Sequence, residues 1–294
     1  MTSASWEGFD MEFTGKLEGK VAVVAGATRG AGRGIACMLG AAGATVYCTG
    51  RSVRSQLIRP DRPETIEETA EMVAAHGGIG IPVRVDHTDR GQVRALFERV
   101  RTEQGGGLDI LVNDLTGDAN MEEKPFAEHS LEKGLRLLEN GSLSHIITSY
   151  YALPLLRKRG GALIVELTDG IGDELRDFNF YYDLEKALNI RVARSLAQQL
   201  REHKIAVVAV TPGFMRSEEV LAHFGVTEAN WRDAISQDKY FAYSETPFYV
   251  GKAVVALACD PQIMAKSGQA LLSGRLAREY DFTDLDGTQP IWHY

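Results

Sequence analysis

Val21-Ala22-Val23-Val24-Ala25-Gly26-Ala27-Thr28-Arg29-Gly30-Ala31-Gly32 is the stretch on which the fold class turns. Five successive apolar residues, rich in Val, describe a short strand buried on both faces, as a parallel sheet requires. The glycines that follow, Gly26, Gly30 and Gly32, have the spacing G-x-x-x-G-x-G. Glycine there permits a tight turn and lets a pyrophosphate approach backbone N–H groups at the start of a helix. Helical apolar spacing then runs from Ile35 to Ala42. Strand, glycine turn and helix in this order predict the opening unit of a dinucleotide-binding α/β fold.

The alternation continues outward from this unit. Ala44–Thr49, Ile81–Val85, Leu108–Asn113, Ala162–Thr168, Ile205–Val210 and Ala270–Ser273 read as strands. Thr65-Ile66-Glu67-Glu68 is a capping box opening a helix to about His76, and Asp89 caps another to about Glu103. Leu131–Arg159 is helical with a break near Gly141, and Phe180–His203 and Thr246–Cys259 are further helices. This pattern predicts a single doubly wound parallel sheet, a Rossmann fold with three α/β/α layers. Residues 1–18 read as a polar arm, 19–294 as one dinucleotide-binding domain, and about 214–245 as a loop-and-helix lid. Ligands of such folds sit beyond the carboxyl ends of the strands, so chemistry is sought there.

Hydrophobic residues make up 44 % of the 294 and charged residues 24 %, a globular balance and not a disordered one. The formal charge of −8 repels a phosphate backbone, which argues against a nucleic-acid partner. An anionic ligand therefore needs a local basic pocket. No run approaches the ~18 apolar residues of a membrane span, and the first residues carry no secretory pattern. Cys37, Cys48 and Cys259 each lie in an apolar run and read as buried free thiols of a cytoplasmic protein. No Cys/His spacing suggests a metal site.

The end of the second strand bears on the choice of dinucleotide. NAD sites usually place Asp or Glu there to accept from the ribose 2′-hydroxyl. This chain has Thr49-Gly50-Arg51-Ser52. Arg51 can fork onto a 2′-phosphate, and Arg29, inside the glycine turn, can approach the same group. Arg54 and Arg59 follow in the next loop. These cations favour NADP(H) over a merely solvated basic patch. Asp86 is either an adenine contact or a turn acceptor. Thr28 in the glycine turn, Ser52, and His87 beside Asp86 complete the expected cofactor contacts around the first three strands.

Tyr182 and Lys186 stand at i and i+4 in Tyr-Asp-Leu-Glu-Lys, on one helix face. A lysine ammonium near a phenol favours the phenolate, so such a Tyr can give or take the proton that accompanies hydride transfer. Tyr181 is a rival, but its i+4 neighbour is Glu185, which works in the opposite sense.

Taken together these residues resemble the short-chain dehydrogenase/reductase family, from about residue 18 to 275. Gly26–Gly32 looks like its cofactor motif, Asn113 like the first Asn of its N-N-A-G, and Tyr182 and Lys186 like its catalytic pair. Asp114-Leu115-Thr116 departs from the rest of N-N-A-G. Asn140 matches the Asn that holds a proton-relay water. Pro212-Gly213, followed by Ser217, matches the segment whose hydroxyl helps seat the nicotinamide amide. A narrower likeness, to the dehydrogenase/reductase SDR family member 1 group, runs through GATRGAGRGIACMLGAAGATVYCTGRS and GKAVVALACDPQIMAKSGQALLSGRLAREYDFTDLDG. The resemblance implies an NADP(H)-dependent oxidoreductase acting on a carbonyl, alcohol or imine of a small molecule. It also implies a homo-oligomer, dimer or tetramer, built through the two long helices, with Tyr150, Leu153, Leu188 and Val192 as candidate interface residues.

One departure bears on chemistry. Where the family has its catalytic Ser, this chain has Asp169, preceded by Thr168. Three readings stand open: Thr168 replaces the Ser, Asp169 itself acts (protonated, or paired with a cationic substrate), or carbonyl chemistry is impaired. The last includes a dinucleotide-binding sensor without turnover, or an isomerase or dehydratase. Phe224, Trp231, Tyr240, Phe241, Tyr243, Phe248 and Tyr249 suggest an apolar or aromatic substrate, or simply lid core, and Phe178 and Phe180 approach from the loop before Tyr182. His145 and His223 read as surface or structural.

Overall fold

Among the described residues seven strands, all parallel to their neighbours, form one sheet in the order β3-β2-β1-β4-β5-β6-β7. They are β1 (Val21–Ala25), β2 (Thr45–Gly50), β3 (Ile79–Arg84), β4 (Ile110–Asn113), β5 (Leu163–Leu167), β6 (Ala206–Thr211) and β7 (Ala270–Leu272). The computed structural model describes residues 13–117, 121–172, 175 and 179–292. Winding runs one way from β1 to β3 and the other way from β4 to β7, so the carboxyl ends of β1 and β4 border the crevice where such sheets bind ligands.

Side chains alternate across the sheet, and each face has its own layer. Val24, Val112, Val165 and Val208 pack under α1 (Gly30–Ala41), α2 (Ile66–Ala75), α8 (Pro247–Cys259) and α9 (Ser273–Tyr280). Val23, Leu111, Ile164 and Val207 pack under α3 (Arg90–Glu103), α5 (Ser144–Arg159) and α6 (Phe180–Leu200). The three-layer Rossmann architecture is thus the observed one.

Local chemistry sets the boundaries. Thr65 accepts from Glu68 N at 3.3 Å, and Asp89 accepts from Gly91 N and Gln92 N, so both predicted caps open their helices. The expected break near Gly141 is a π turn, Glu139–Leu143, between α4 (Leu131–Leu138) and α5, with Gly141 at φ −86° and ψ −106°. β3 begins two residues earlier and ends one residue earlier than expected. It is an edge strand, half-exposed, which is where a sheet tolerates Pro82.

Of the expected arm, residues 13–18 are described, and Phe13 and Leu17 are buried in the core. Cys37 and Cys48 are buried, whereas Cys259 is only half-buried. Among the described residues no helix is long and apolar enough to cross a membrane. The 214–245 excursion contains α7 (Glu218–His223) and closes at its base. Arg216 N donates to Glu245 O, and Glu245 N to Phe214 O, both at 2.8 Å. Trp231, Phe241, Phe224 and Phe214 form its own small core, Phe248 and Tyr249 belong to the main core, and Tyr240 and Tyr243 are exposed. Phe178 lies outside the described residues.

Candidate active site

The glycine turn is built by close approach. Gly26 has φ +96°, and a Cβ there would collide with the Asp114 carbonyl; a Cβ on Gly32 would collide with Gly26 O. Thr28 O accepts from Arg33 Nε at 3.1 Å. Two N–H groups at the start of α1 meet carboxylates: Gly32 N donates to Asp114 Oδ2 at 2.5 Å, and Gly30 N donates to Glu218 Oε2 at 2.8 Å. Protein acids on both N–H groups mark this turn as a place for negative charge.

Arg29 and Arg51 stand at its rim. Arg29 Nε donates to Glu64 Oε2 at 3.2 Å, while its Nη2 is buried with no hydrogen-bond partner among the described residues. Burial opposes the charge on Glu64, but its own backbone N–H, Arg62 and Arg29 outweigh burial and hold the carboxyl below its usual range. Arg51 follows β2, 40 % exposed, 3.9 Å from Asp86 Oδ2. Arg54 and Arg59 are tied up in ion pairs with Glu71, and with Asp61 and Glu219. Ser52 is buried and accepts from Ile58 N at 3.3 Å. Asp86 Oδ1 accepts from Thr88 N and Oγ1, the turn role. His87 is buried, its ring 2.8 Å from both Thr49 Oγ1 and Thr148 Oγ1. Burial, with His145 adding, pushes its pKa down to about 3, so the ring is neutral.

Beneath the crevice, Asn113 and Glu166 are register partners on β4 and β5. Asn113 Nδ2 donates to Glu166 Oε1 at 2.9 Å and to Ser149 Oγ at 3.0 Å. His145 places Nδ1 2.6 Å from Glu166 Oε2 and Nε2 2.9 Å from Leu115 O. Burial disfavours charge on this ring, but the Glu166 hydrogen bond and charge outweigh it and raise its pKa. His145 is a buried structural residue. Sequence reasoning passed over Glu166, although an acid in the middle of a strand reading LIVEL is the mark of a buried, paired carboxylate.

Tyr182 lies in the first turn of α6, its N–H capped by Asn179 Oδ1 at 2.8 Å. Its hydroxyl donates to Asp169 Oδ2 at 3.1 Å. Lys186 Nζ lies 4.8 Å from the Tyr182 ring centre and 3.0 Å from Glu185 Oε1. Thr168 is turned away, its hydroxyl donating to Lys186 O at 2.7 Å. Tyr181 is buried against Phe126, His129 and Phe180. Asn140 lies in the π turn, where its carbonyl accepts from Ser144 Oγ at 2.7 Å.

Pro212 and Gly213 follow β6. Gly213 N donates to Glu245 Oε2 at 2.9 Å, and Ser273 Oγ to the same oxygen at 2.7 Å. Burial raises the Glu245 pKa to about 8 against those two hydrogen bonds. Ser217 caps α7 by accepting from Val220 N, close to Gly30. Trp292, stacked on Phe214 at 6.0 Å and near Tyr240 at 5.1 Å, was not singled out in the sequence. Among the described residues no group of three or more His, Cys, Asp or Glu could hold a metal ion.

The chain is similar in sequence and fold to known proteins. The human dehydrogenase/reductase SDR family member 1 is 36 % identical over 283 residues, covering 95 % of this chain and 87 % of that protein. The crystal structure of a short chain dehydrogenase from Mycobacterium thermoresistibile superposes with a TM-score of 0.79 at 23 % identity, covering 95 % of each chain. That of L-sorbose reductase from Gluconobacter frateurii, complexed with NADPH and L-sorbose, gives 0.70 at 21 % identity over 87 % of this chain and 95 % of that one. The short chain dehydrogenase family model matches residues 20–223. With glycine turn, Tyr182 and Lys186 brought to one edge of a parallel sheet, the chain belongs to the short-chain dehydrogenase/reductase family of oxidoreductases.

Proposed function

We propose that this protein is an NADP(H)-dependent oxidoreductase that acts on a carbonyl, alcohol or imine of a small apolar or aromatic molecule. The observation that carries the reading is the Tyr182 hydroxyl 3.1 Å from Asp169, with Lys186 Nζ over the Tyr182 ring, at the same sheet edge as the glycine turn. The residues present fit a dinucleotide phosphate: Arg29 keeps a buried guanidinium nitrogen without a hydrogen-bond partner among the described residues, and Arg51 stands at the end of β2. Gly26, Thr28, Gly30 and Gly32 would cradle the pyrophosphate, with Ser52 and Arg51 at the 2′-phosphate. Asp86, the backbone of His87 and Asn113 would line the adenine and ribose side. Pro212, Gly213 and Ser217 would seat the nicotinamide.

When bound, the nicotinamide supplies or accepts the hydride. Tyr182 gives its proton to the developing alkoxide or amine, or takes it in the reverse direction. Lys186 binds the nicotinamide ribose and keeps a cation beside the phenol. Asn140 holds the relay water through the π turn. Asp169 replaces a neutral donor with an acceptor, and a carboxylate repels a developing alkoxide. It is productive when protonated, or when an iminium or amine N–H donates to it. The second case fits the hydrogen bond Asp169 already accepts from Tyr182. Residues 19–294 form the catalytic domain and 214–245 its lid, where exposed Tyr240 and Tyr243 offer aromatic surface. Exposed Leu143, Ile146 and Tyr150 on and before α5 favour a homo-oligomer, while Val192 is already buried within one chain. Free thiols fit a cytoplasmic setting.

The test is NADPH oxidation on isosteric pairs of ketones and imines, by wild type and Asp169→Ser. Preference for imines that Asp169→Ser reverses is the expected result. NADPH binding without turnover on every compound would instead favour the sensor.

A further inference from the structure

Directly before Lys186 stands Glu185, an acid wholly buried on α6. Adjacent residues on a helix do not face each other. An ion pair between them forms only if both side chains bend toward one point, and here they do, at 3.0 Å. Room for the carboxylate comes from the π turn, because a Cβ on Gly141 would collide with the Glu185 carboxyl group. Ser142 Oγ lies 3.0 Å from Glu185 O and 2.7 Å from Asn189 Oδ1, tying that turn to α6. Glycine, bulge and acid thus make one arrangement, and it delivers a carboxylate beneath the lysine of the site. Burying a carboxylate opposes folding unless a partner answers it. Lys186 is such a partner, so Glu185 bears directly on that charge.

We propose that Glu185 is a positioning residue: it holds the Lys186 ammonium toward the π turn and, by cancelling part of its charge, sets the pH at which Tyr182 releases its proton. The inference rests on Tyr182 as general acid/base. A lone ammonium beside a phenol draws off its proton; an ammonium shared with a carboxylate does so less. Asp169, accepting from the Tyr182 hydroxyl, acts in the same sense. Both acids keep Tyr182 a proton donor at neutral pH, the state needed for reduction. Titratable groups facing Glu185 include Tyr181, Tyr182 and Lys186 on α6 and His145 on α5, with Glu166 behind His145 and Asp169 beyond Tyr182.

Difference absorbance of ionised tyrosine, taken as each protein minus its Tyr182→Phe counterpart, isolates the Tyr182 titration in the full chain without substrate. Glu185→Gln should lower the midpoint by about one pH unit. Glu185→Asp, which keeps the charge, should stay nearer wild type. An unchanged or raised midpoint in Glu185→Gln overturns the proposal. If that variant does not fold, Glu185→Ser removes the charge, leaves room for water and carries the same expectation. The two readings separate: wild-type turnover abolished by Tyr182→Phe, with a midpoint that Glu185→Gln leaves fixed, sinks Glu185 and keeps Tyr182. Turnover that survives Tyr182→Phe sinks both.

Discussion

Along the carboxyl edge of the sheet, the arginines around the ends of β1 and β2 are each met by a carboxylate, whereas acids around the ends of β5 and β6 meet hydroxyls, a backbone N–H and a lysine. Arg29, Arg33, Arg51 and Arg62 stand on the first side, and Asp169, Glu185 and Glu245 on the second. A net charge of −8 conceals this division. On the proposed function, the arginine side takes the phosphorylated end of the dinucleotide, and the acidic side takes a ligand that donates protons or carries positive charge.

Removing the group at which the two sides meet gives the largest effect. Tyr182→Phe should lower NADPH-dependent turnover by about 10²- to 10⁴-fold, with NADPH affinity held within about twofold. Equal losses of rate and affinity would mean that Tyr182 serves binding only, and the contrast between the sides would lose its meeting point.

A second test asks how anionic the acidic side is. Glu245 has a pKa raised from 4.5 to about 8, so it is neutral at pH 7. A raised folded pKa contributes stability that is complete below about pH 4.5 and is lost as pH climbs through about 8. Glu245→Gln lacks that slope. Urea unfolding should therefore find wild type losing ground to the variant between pH 5 and 8, by on the order of a few kcal/mol. Parallel curves for the two proteins would show the carboxyl ionised throughout.

The smallest expected effect belongs to the arginine side. Arg51→Ala should weaken NADPH by about 10- to 100-fold, or ~1.5–3 kcal/mol, and leave NADH nearly unchanged. Calorimetry giving the same loss for both dinucleotides would remove the 2′-phosphate from this rim.

What could be read from the sequence was local. β1 has the predicted bounds, since a Val-rich run ending in glycine depends on nothing distant. α9 was missed because Leu276 and Ala277 are nearly its only buried apolar residues, set among charges. Glu218 caps Gly30 from 188 residues away, a pairing that exists only once the sheet has closed. Glu185 looked like a wrong neighbour for Tyr181, and its real partner depends on how the chain kinks at Gly141. Asp169 was legible as a departure, yet only the fold puts it against the Tyr182 hydroxyl and turns Thr168 away.

Helices α1 and α8 cross with little between them. A Cβ on Gly34 would collide with the Pro247 carbonyl, and one on Gly251 would stand 2.7 Å from Gly34 O. α1 begins in the glycine turn, and α8 begins just after the 214–245 excursion ends. Two missing methyl groups therefore weld the cofactor helix to the root of the excursion. Mechanically the excursion is a cantilever: its root is fixed in the same block as the phosphate cradle, and the Phe214–Arg216 pairing with Glu245 braces it just outboard of that root. Beyond the brace, α7 is tied back as well, where Glu218 accepts from Gly30 N of the glycine turn. A methyl group added at Gly34 or Gly251 would act as a wedge in the mounting, tilting cradle and span against each other without touching either.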